Sequence, residues 1–263
     1  MRSLGRPRAP IAEEENPYWV SFSDLMSGLL IIFILAAVAL IIELTQKSEK
    51  WDEVLAQVKA AEDARDGLIE GIVRELEKDG IKVVINGVGV ITVPESSLKF
   101  RSGSADIPTD VLTQRVVNRI GEVLFSKLYD DSRADFLDTI FVEGHTDCTT
   151  YRGRKFDDNW DLSTTRSNNV WRYWSTMVFD LEPFSMAALE NKNGKPLFSV
   201  SGYGETRPLP STRPDGICDG RLTDLLAQNR RIDLRFTVIR PSLVEYAEFF
   251  NSVDDTEQFL DLR

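Results

Sequence analysis

The feature that most constrains this chain is an apolar run from Leu25 to Ile42 that contains no charged residue. As an α-helix, these 18 residues would be about 27 Å long, close to the hydrocarbon thickness of a bilayer. The main alternative is a cleaved signal peptide, whose apolar region is usually shorter, about 7 to 15 residues. We therefore predict an uncleaved transmembrane helix over 18–44, preceded by a cytoplasmic tail over 1–17.

Asp24 lies at the edge of this apolar run, close to Tyr18 and Trp19, which are typical of a membrane interface. A carboxylate inside a bilayer is costly and often marks an ion pathway. The alternative is that Ser21, Ser23 or Asp24 only caps the N-terminus of the helix. The residues alone leave both alternatives open.

The positive charges on the two sides of the run give little guidance on orientation. Arg2, Arg6 and Arg8 precede it, and Lys47 and Lys50 follow it. This balance favours a cytoplasmic N-terminus only weakly.

Composition excludes several classes of function. The net charge of -11 argues against a nucleic-acid partner, because phosphate binding needs a basic surface. A single histidine, His145, and two separated cysteines, Cys148 and Cys218, are too few for a zinc site, so we predict no metal or cofactor. The sequence also lacks a nucleophile elbow and a cysteine with a plausible base, and we predict that the chain is not an enzyme.

The segment 45–80 is polar overall but repeats apolar residues mostly every three or four positions, which predicts an amphipathic helix. This pattern fits a helical linker that spaces the membrane helix from a second domain. It also fits a short dimer contact, and the repeat is not sustained enough to establish a long coiled coil.

Residues 81–240 alternate strand and helix signals and predict an α/β (α+β) domain with a mixed sheet and helices on one face. Strands are predicted at 83–85, 90–93, 139–143, 197–201 and 232–239. A helix is predicted from Pro108 to Leu128 and another from Ser163 to Met177, and Thr223 is predicted to cap a short one. An acidic tail over 241–263 completes the chain.

Four loop motifs in this domain occur in one order: EGHTD at 143–147, NWDLSTTR at 159–166, GYGE at 202–205 and NRR at 229–231. This set resembles the OmpA-like peptidoglycan-binding domain, whose motifs read EGHTD, NxxLSxxR, GYGE and NRR. The resemblance covers about residues 81–240. The segment 148–158, between the first two motifs, is a few residues longer than is usual in that family.

The resemblance implies a ligand, the diaminopimelate of the peptidoglycan stem peptide. By its motifs, Asp147 would bind the ligand's ammonium and Arg166 its carboxylate, with Asn159 and Arg230 or Arg231 beside them. Opposite charges on the protein suit the zwitterionic end of an amino acid. The alternative is that Asp147 and Arg166 form only a structural ion pair. His145 is predicted to be a packed or hydrogen-bonded residue at a strand end.

The N-terminus resembles that of MotB-like stator subunits, in which an Asp follows a Trp at the start of the only membrane helix. Within that group the chain is similar to the ZorB family of Zorya anti-phage defence systems. The acidic residues 13–15 and the tail after Arg240 fit a non-flagellar member. A flagellar stator subunit and a static cell-wall anchor are the alternatives.

This second resemblance implies an assembly in the bacterial inner membrane, with the C-terminal domain in the periplasm. Two copies of the chain would form a homodimer inside a pentamer of MotA-like (ZorA-type) subunits. Asp24 would carry the translocated ion, for which we expect a proton rather than sodium. The residues after the membrane helix, about 44–55, would act as a plug. In an oxidising compartment, Cys148 and Cys218 could form a disulfide.

Overall fold

The computed structural model describes residues 17–177, 185–210 and 223–240. Residues 1–16 of the predicted cytoplasmic tail, the predicted acidic tail at 241–263 and Cys218 lie outside the described residues. Internal contacts divide the chain into two compact units, Met1–Ala56 and Gln57–Arg263.

Helix α1 spans Pro17–Lys78 without interruption. It contains the predicted transmembrane segment, whose large apolar side chains are exposed. By length and composition, α1 is the helix among the described residues that could cross a membrane. An N-cap residue precedes the first helical residue. Helix α1 begins at Pro17, so Ser21, Ser23 and Asp24 all lie inside it, Asp24 about two turns from its start. The alternative that one of these three residues caps the helix is therefore wrong.

The last turns of α1 belong to the core of the second unit rather than to a linker. Leu68, Ile72 and Leu76 are fully buried there, and Ile69 is nearly so. The predicted boundary at residue 81 therefore lies too far along the chain, because the compact unit begins at Gln57. The apolar spacing of residues 68–76 reflects packing onto the domain.

The described residues of the domain form a five-stranded sheet in the order β1-β2-β5-β3-β4. Strands β3 and β4 are parallel, and the other neighbouring pairs are antiparallel, so the predicted mixed sheet is confirmed. The strand bounds are β1 Val84–Ile85, β2 Val90–Pro94, β3 Leu137–His145, β4 Phe198–Gly202 and β5 Arg231–Val238.

Three further α-helices lie among the described residues, and two of them begin elsewhere than the sequence predicts. Helix α2 spans Val111–Asp130 and is capped by Asp110, whose side chain accepts a hydrogen bond from the Thr113 amide, so it does not begin at Pro108. Helix α3 spans Asn159–Ser175 and is capped by Asp158, so Ser163 lies inside it. Helix α4 spans Thr223–Asn229.

One face of the sheet is apolar and the other is polar, as strand alternation requires. Ile140, Val142 and Leu234 face a core shared with α2, α3 and the end of α1. The predicted arrangement of helices on one face is therefore confirmed. Glu143 and Asp233 lie opposite each other on the other face, where they are buried among polar partners.

Candidate functional site

Two glycines allow α3 to approach the ends of the parallel strands. Gly144 of β3 and Gly202 of β4 are register partners. A Cβ atom on Gly144 would lie 2.1 Å from the Ser163 carbonyl oxygen, and one on Gly202 would lie 2.2 Å from Thr164 Oγ1. Real Cβ atoms do not come this close to other atoms. Close packing therefore explains Gly144 of EGHTD and Gly202, the first glycine of GYGE.

Two serines of α3 form hydrogen bonds that hold the helix at this edge of the sheet. Ser163 Oγ accepts a hydrogen bond from the Gly204 amide at 2.9 Å. Ser167 Oγ donates to the Ser201 carbonyl at 2.8 Å. These contacts fix the position of α3 relative to β4 and the loop that follows β4.

A cleft of about 930 Å³ opens beside the end of β3 and the start of α3. Four of the predicted ligand-binding residues line it: Asp147, Asn159, Arg166 and Arg230. Tertiary structure therefore brings together side chains from three separate motifs.

Arg230 links two carboxylates at the wall of this cleft. Its Nε and Nη2 donate to the two oxygens of Glu95 at 2.8 and 2.6 Å, and its Nη1 donates to Asp147 Oδ2. Glu95 and then Asp147 raise the pKa of Arg230 above its ordinary value, although burial opposes them. Asp147 therefore pairs with Arg230, and the alternative of an Asp147–Arg166 ion pair is wrong.

Arg166 is buried and has no carboxylate partner among the described residues. Its Nε donates to the Ser104 carbonyl at 2.9 Å, and its guanidinium lies 5.0 Å from the centre of the Phe100 ring. Burial lowers the pKa of Arg166 to about 10, so it is charged at pH 7. Its Nη1 makes no hydrogen bond within the described chain, which leaves donors for a ligand anion.

Asn159 and Arg231 have different surroundings from those two arginines. The Asn159 amide lines the cleft, and its Nδ2 donates to the Thr149 carbonyl at 3.0 Å, which holds the loop after Asp147. Arg231 does not line this cleft. It is buried on the polar face of the sheet, with its Nε 2.9 Å from Asp233 Oδ2. Arg231 is thus a structural residue, and of the two predicted arginines only Arg230 reaches the cleft.

The predicted packing of His145 at a strand end is observed. It is the last residue of β3, is buried, stacks on the Tyr203 ring and has Nε2 3.1 Å from Asp233 Oδ2. With Glu143 and Asp233 it forms a group whose ligand atoms lie within 4.8 Å. Arg235 and Arg231 already bind these two carboxylates, so the group is better explained as an ion-pair network than as a metal site.

Glu95 is one of the charged cleft residues that the sequence analysis missed. It directly follows β2, whose last residue, Pro94, is the register partner of Arg231. The sequence did contain a signal for Glu95. If the predicted strands at 90–93 and 232–239 are assumed to pair, Glu95 is placed beside the NRR motif.

Cys148 is disulfide-bonded. Its predicted partner, Cys218, lies outside the described residues. Asp24 is exposed on α1, within the unit that precedes Gln57, and far along the sequence from the cleft residues.

Two curated proteins are similar to this chain over most of their length. The uncharacterised protein YtxE of Bacillus subtilis is 24% identical over 247 residues, covering 85% of this chain and 89% of that protein. The Zorya protein ZorB of Escherichia coli is 23% identical over 238 residues, covering 86% and 94%. The predicted resemblance to ZorB is therefore confirmed. No protein-family model matches the sequence.

Solved structures of low identity are also similar to the chain. A MotB-like protein from Desulfovibrio vulgaris is 22% identical, covers 71% of this chain and 98% of its own, and has a TM-score of 0.48. The cell wall anchor of the T6SS from Pseudomonas aeruginosa is 20% identical, with coverages of 64% and 97% and a TM-score of 0.43. The periplasmic domain of Helicobacter pylori MotB is 20% identical, with coverages of 66% and 90% and a TM-score of 0.42.

Proposed function

We propose that this chain is the peptidoglycan-anchored stator subunit of an ion-driven rotary motor in the inner membrane, serving anti-phage defence. The observation that carries the proposal is the charge arrangement of the cleft. Buried Arg166 offers unused donors to an anion, and Asp147 and Glu95 offer carboxylate oxygens to a cation. The similarity to ZorB and the apolar helix α1 support the membrane and defence parts of the proposal.

The zwitterionic end of diaminopimelate fits this arrangement. Its carboxylate would accept hydrogen bonds from Arg166, and its ammonium would donate to Asp147 and Glu95. Each carboxylate oxygen has more than one lone pair, so Asp147 can bind an ammonium while it accepts from Arg230. Hydrogen bonds of this kind, between charged partners, contribute about 1.5–3 kcal/mol each.

In the proposed assembly, two copies of the chain lie within a ring of five MotA-like subunits. Wall binding would hold this chain still while ions pass at Asp24. A proton that crosses 100 mV releases about 2.3 kcal/mol, and a change of charge at Asp24 could alter its attraction to the ring. A single helix encloses no channel, so the ring subunits must complete the ion pathway.

Pull-down with purified peptidoglycan sacculi tests the binding site, using the full chain in detergent. Asp147→Asn and Arg166→Gln should each lower the bound fraction, equivalent to about a tenfold loss of affinity, because each leaves one ligand charge unpaired. Matched controls are Asp130→Asn at the end of α2 and Arg172→Gln on the exposed side of α3, which should bind like wild type. Thermal unfolding should confirm that each variant is folded. Wild-type binding by folded Asp147→Asn and Arg166→Gln would contradict the site.

A further inference from the structure

The cleft carries more positive charge than the end of a diaminopimelate requires. Among its described lining residues, four side chains are cationic and two are anionic, although the whole chain has a net charge of -11. They are Lys99, Arg152, Arg166 and Arg230 against Glu95 and Asp147. A zwitterionic ligand end takes one charge of each sign, so a surplus of positive charge is left over.

Lys99 and Arg152 account for this surplus. Arg230 is neutralised by its two carboxylates, and Arg166 is the partner that we assign to the diaminopimelate carboxylate. Lys99 and Arg152 are exposed, and neither makes an ion pair among the described residues. They lie on separate loops, one after β2 and the other after β3.

The segment that carries Arg152 is held in place rather than simply extended into solvent. Tyr151 and Phe156 make an edge-on ring contact with centroids 5.6 Å apart. Phe156 packs with Ala105 and Leu162 in a small apolar cluster separate from the main core. This cluster fixes the segment 148–158 against both the loop after β2 and helix α3.

The segment is also fixed by polar contacts. The Lys155 ammonium lies 3.1 Å from Asp106 Oδ2, and the Lys155 amide donates to the Tyr151 hydroxyl at 3.3 Å. At its start, Asp147 Oδ1 accepts from the Thr149 amide at 2.8 Å, and Cys148 is disulfide-bonded. A cation on so constrained a segment stays beside the cleft without the entropy cost of ordering a free loop.

We propose that Lys99 and Arg152 form a second anion subsite in the cleft. Its ligand would be the α-carboxylate of the glutamyl residue that precedes diaminopimelate in the stem peptide. That residue is joined through its side-chain carboxyl, so its α-carboxylate is free unless it is amidated. The cleft volume of about 930 Å³ is at the upper end of pockets that hold drug-sized ligands, and it exceeds the needs of one amino acid. This inference rests on the proposed wall-binding function.

Two synthetic stem peptides test the subsite by titration calorimetry with the full chain in detergent. One has the glutamyl α-carboxylate free, and the other has the same carboxyl as an amide. We expect the free carboxylate to bind about tenfold more tightly, because the amide removes one charge-assisted interaction. The difference should shrink as salt is raised, since both cations are exposed.

Variants locate the source of this preference. Lys99→Gln combined with Arg152→Gln should bring the affinity ratio of the two peptides close to one, while affinity for the amidated peptide is retained. The matched control is Arg154→Gln, two residues further along the same segment and not among the residues that line the cleft. It should keep the wild-type ratio.

Failure of the subsite and failure of the proposed function give different results. If wild type binds both peptides equally, or if the double variant keeps the preference, the second subsite is wrong although wall binding stands. If neither peptide binds, and sacculi binding is unchanged in Asp147→Asn and Arg166→Gln, both the subsite and the wall-binding site are wrong.

Discussion

Arg166 and Arg231 are both buried arginines near the same end of the sheet, but their partners differ. Arg231 pairs with Asp233, which also lies 3.1 Å from His145 Nε2 and accepts from Thr92 Oγ1 at 2.7 Å. Arg166 donates only to backbone carbonyls among the described residues. A guanidinium with unsatisfied donors fits a binding role, whereas a saturated ion pair fits a structural one.

Replacement of Asp233 by asparagine should destabilise the domain and change its acid sensitivity. Burial by itself raises the pKa of Asp233, but the nearby His145 ring and the charge of Arg231 outweigh it, so the pKa lies below 3.8. A lowered pKa stabilises the fold above pH 3.8, and this contribution is lost as the pH falls through the folded-state pKa. We expect Asp233→Asn to lower the free energy of unfolding by about 2 kcal/mol at pH 7.

Urea unfolding of the two proteins across a pH series measures this effect. The difference between wild type and Asp233→Asn should be largest at neutral pH and should decrease below pH 3.8. Asp130→Asn, an exposed carboxylate at the end of α2, is the control and should change stability by less than about 0.5 kcal/mol. A difference that is constant from pH 7 to pH 2 would contradict the assigned ion pairs.

In the proposed motor, Asp24 is the residue that would carry the translocated ion. Asparagine is as good a helix cap as aspartate and has similar size, but it does not titrate. We therefore expect Asp24→Asn to abolish phage protection in cells that also express the ring subunits, with wall binding retained. Ser21→Ala, one turn earlier on α1, should protect normally. If Asp24→Asn is expressed, is pulled down with the ring subunits and protects like wild type, the chain is a static anchor.

At the scale of elements, the second half of α1 is the least expected part of the domain. Its side chains Leu68, Ile69, Ile72 and Leu76 fill the core on the helix-covered face of the sheet. A segment that follows the candidate membrane span in sequence is thus a core element of the second unit. A fragment of the second unit must therefore include these residues of α1.

A fragment that begins at Ile81 should fail to fold, and one that begins at Gln57 should unfold cooperatively. Loss of a single buried Leu or Ile side chain costs about 2–5 kcal/mol, and the shorter fragment lacks several of them. Their sum is comparable to the whole stability of a typical domain, about 5–15 kcal/mol. Thermal unfolding followed by circular dichroism compares the two fragments. Equal melting temperatures would show that residues 57–80 are only a linker.

At the scale of the whole molecule, helix α1 contains the candidate membrane segment and ends in the unit that begins at Gln57. Between them, Trp51 and Leu55 are both exposed in the single chain. Exposed apolar side chains on a helix favour a contact with another chain. In the proposed stator, this surface is the plug segment.

Deletion of 45–55 should therefore increase ion leakage. Eleven residues correspond to three helical turns, so the deletion keeps the helix faces in phase. We expect slower growth and faster collapse of the membrane potential when the ring subunits are co-expressed. Without the ring subunits, the same deletion should have no effect on either measurement. Baseline leakage from an assembled complex would show that the segment is only a spacer.

Much of this protein could be predicted from local sequence. The uncharged run at 25–42, the strand alternation and the four loop motifs predicted the membrane helix, the mixed sheet and four of the charged or polar residues of the cleft. These features are local because helix and strand periodicity, glycine positions and capping residues act within a few positions of the chain. The same motifs predicted that Asp147, Asn159, Arg166 and Arg230 would lie together.

Only the tertiary structure decided the partners of those charges. Arg230 precedes β5 and reaches the cleft, whereas Arg231 is the first residue of β5 and pairs with Asp233, two residues along on the same polar face. Glu95 became part of the site because β2 pairs with β5, a contact across about 140 residues that no local pattern encodes. For the same reason, the amphipathic repeat of α1 predicted a buried face but not what would cover it. The answer depends on which distant surfaces meet when the chain folds.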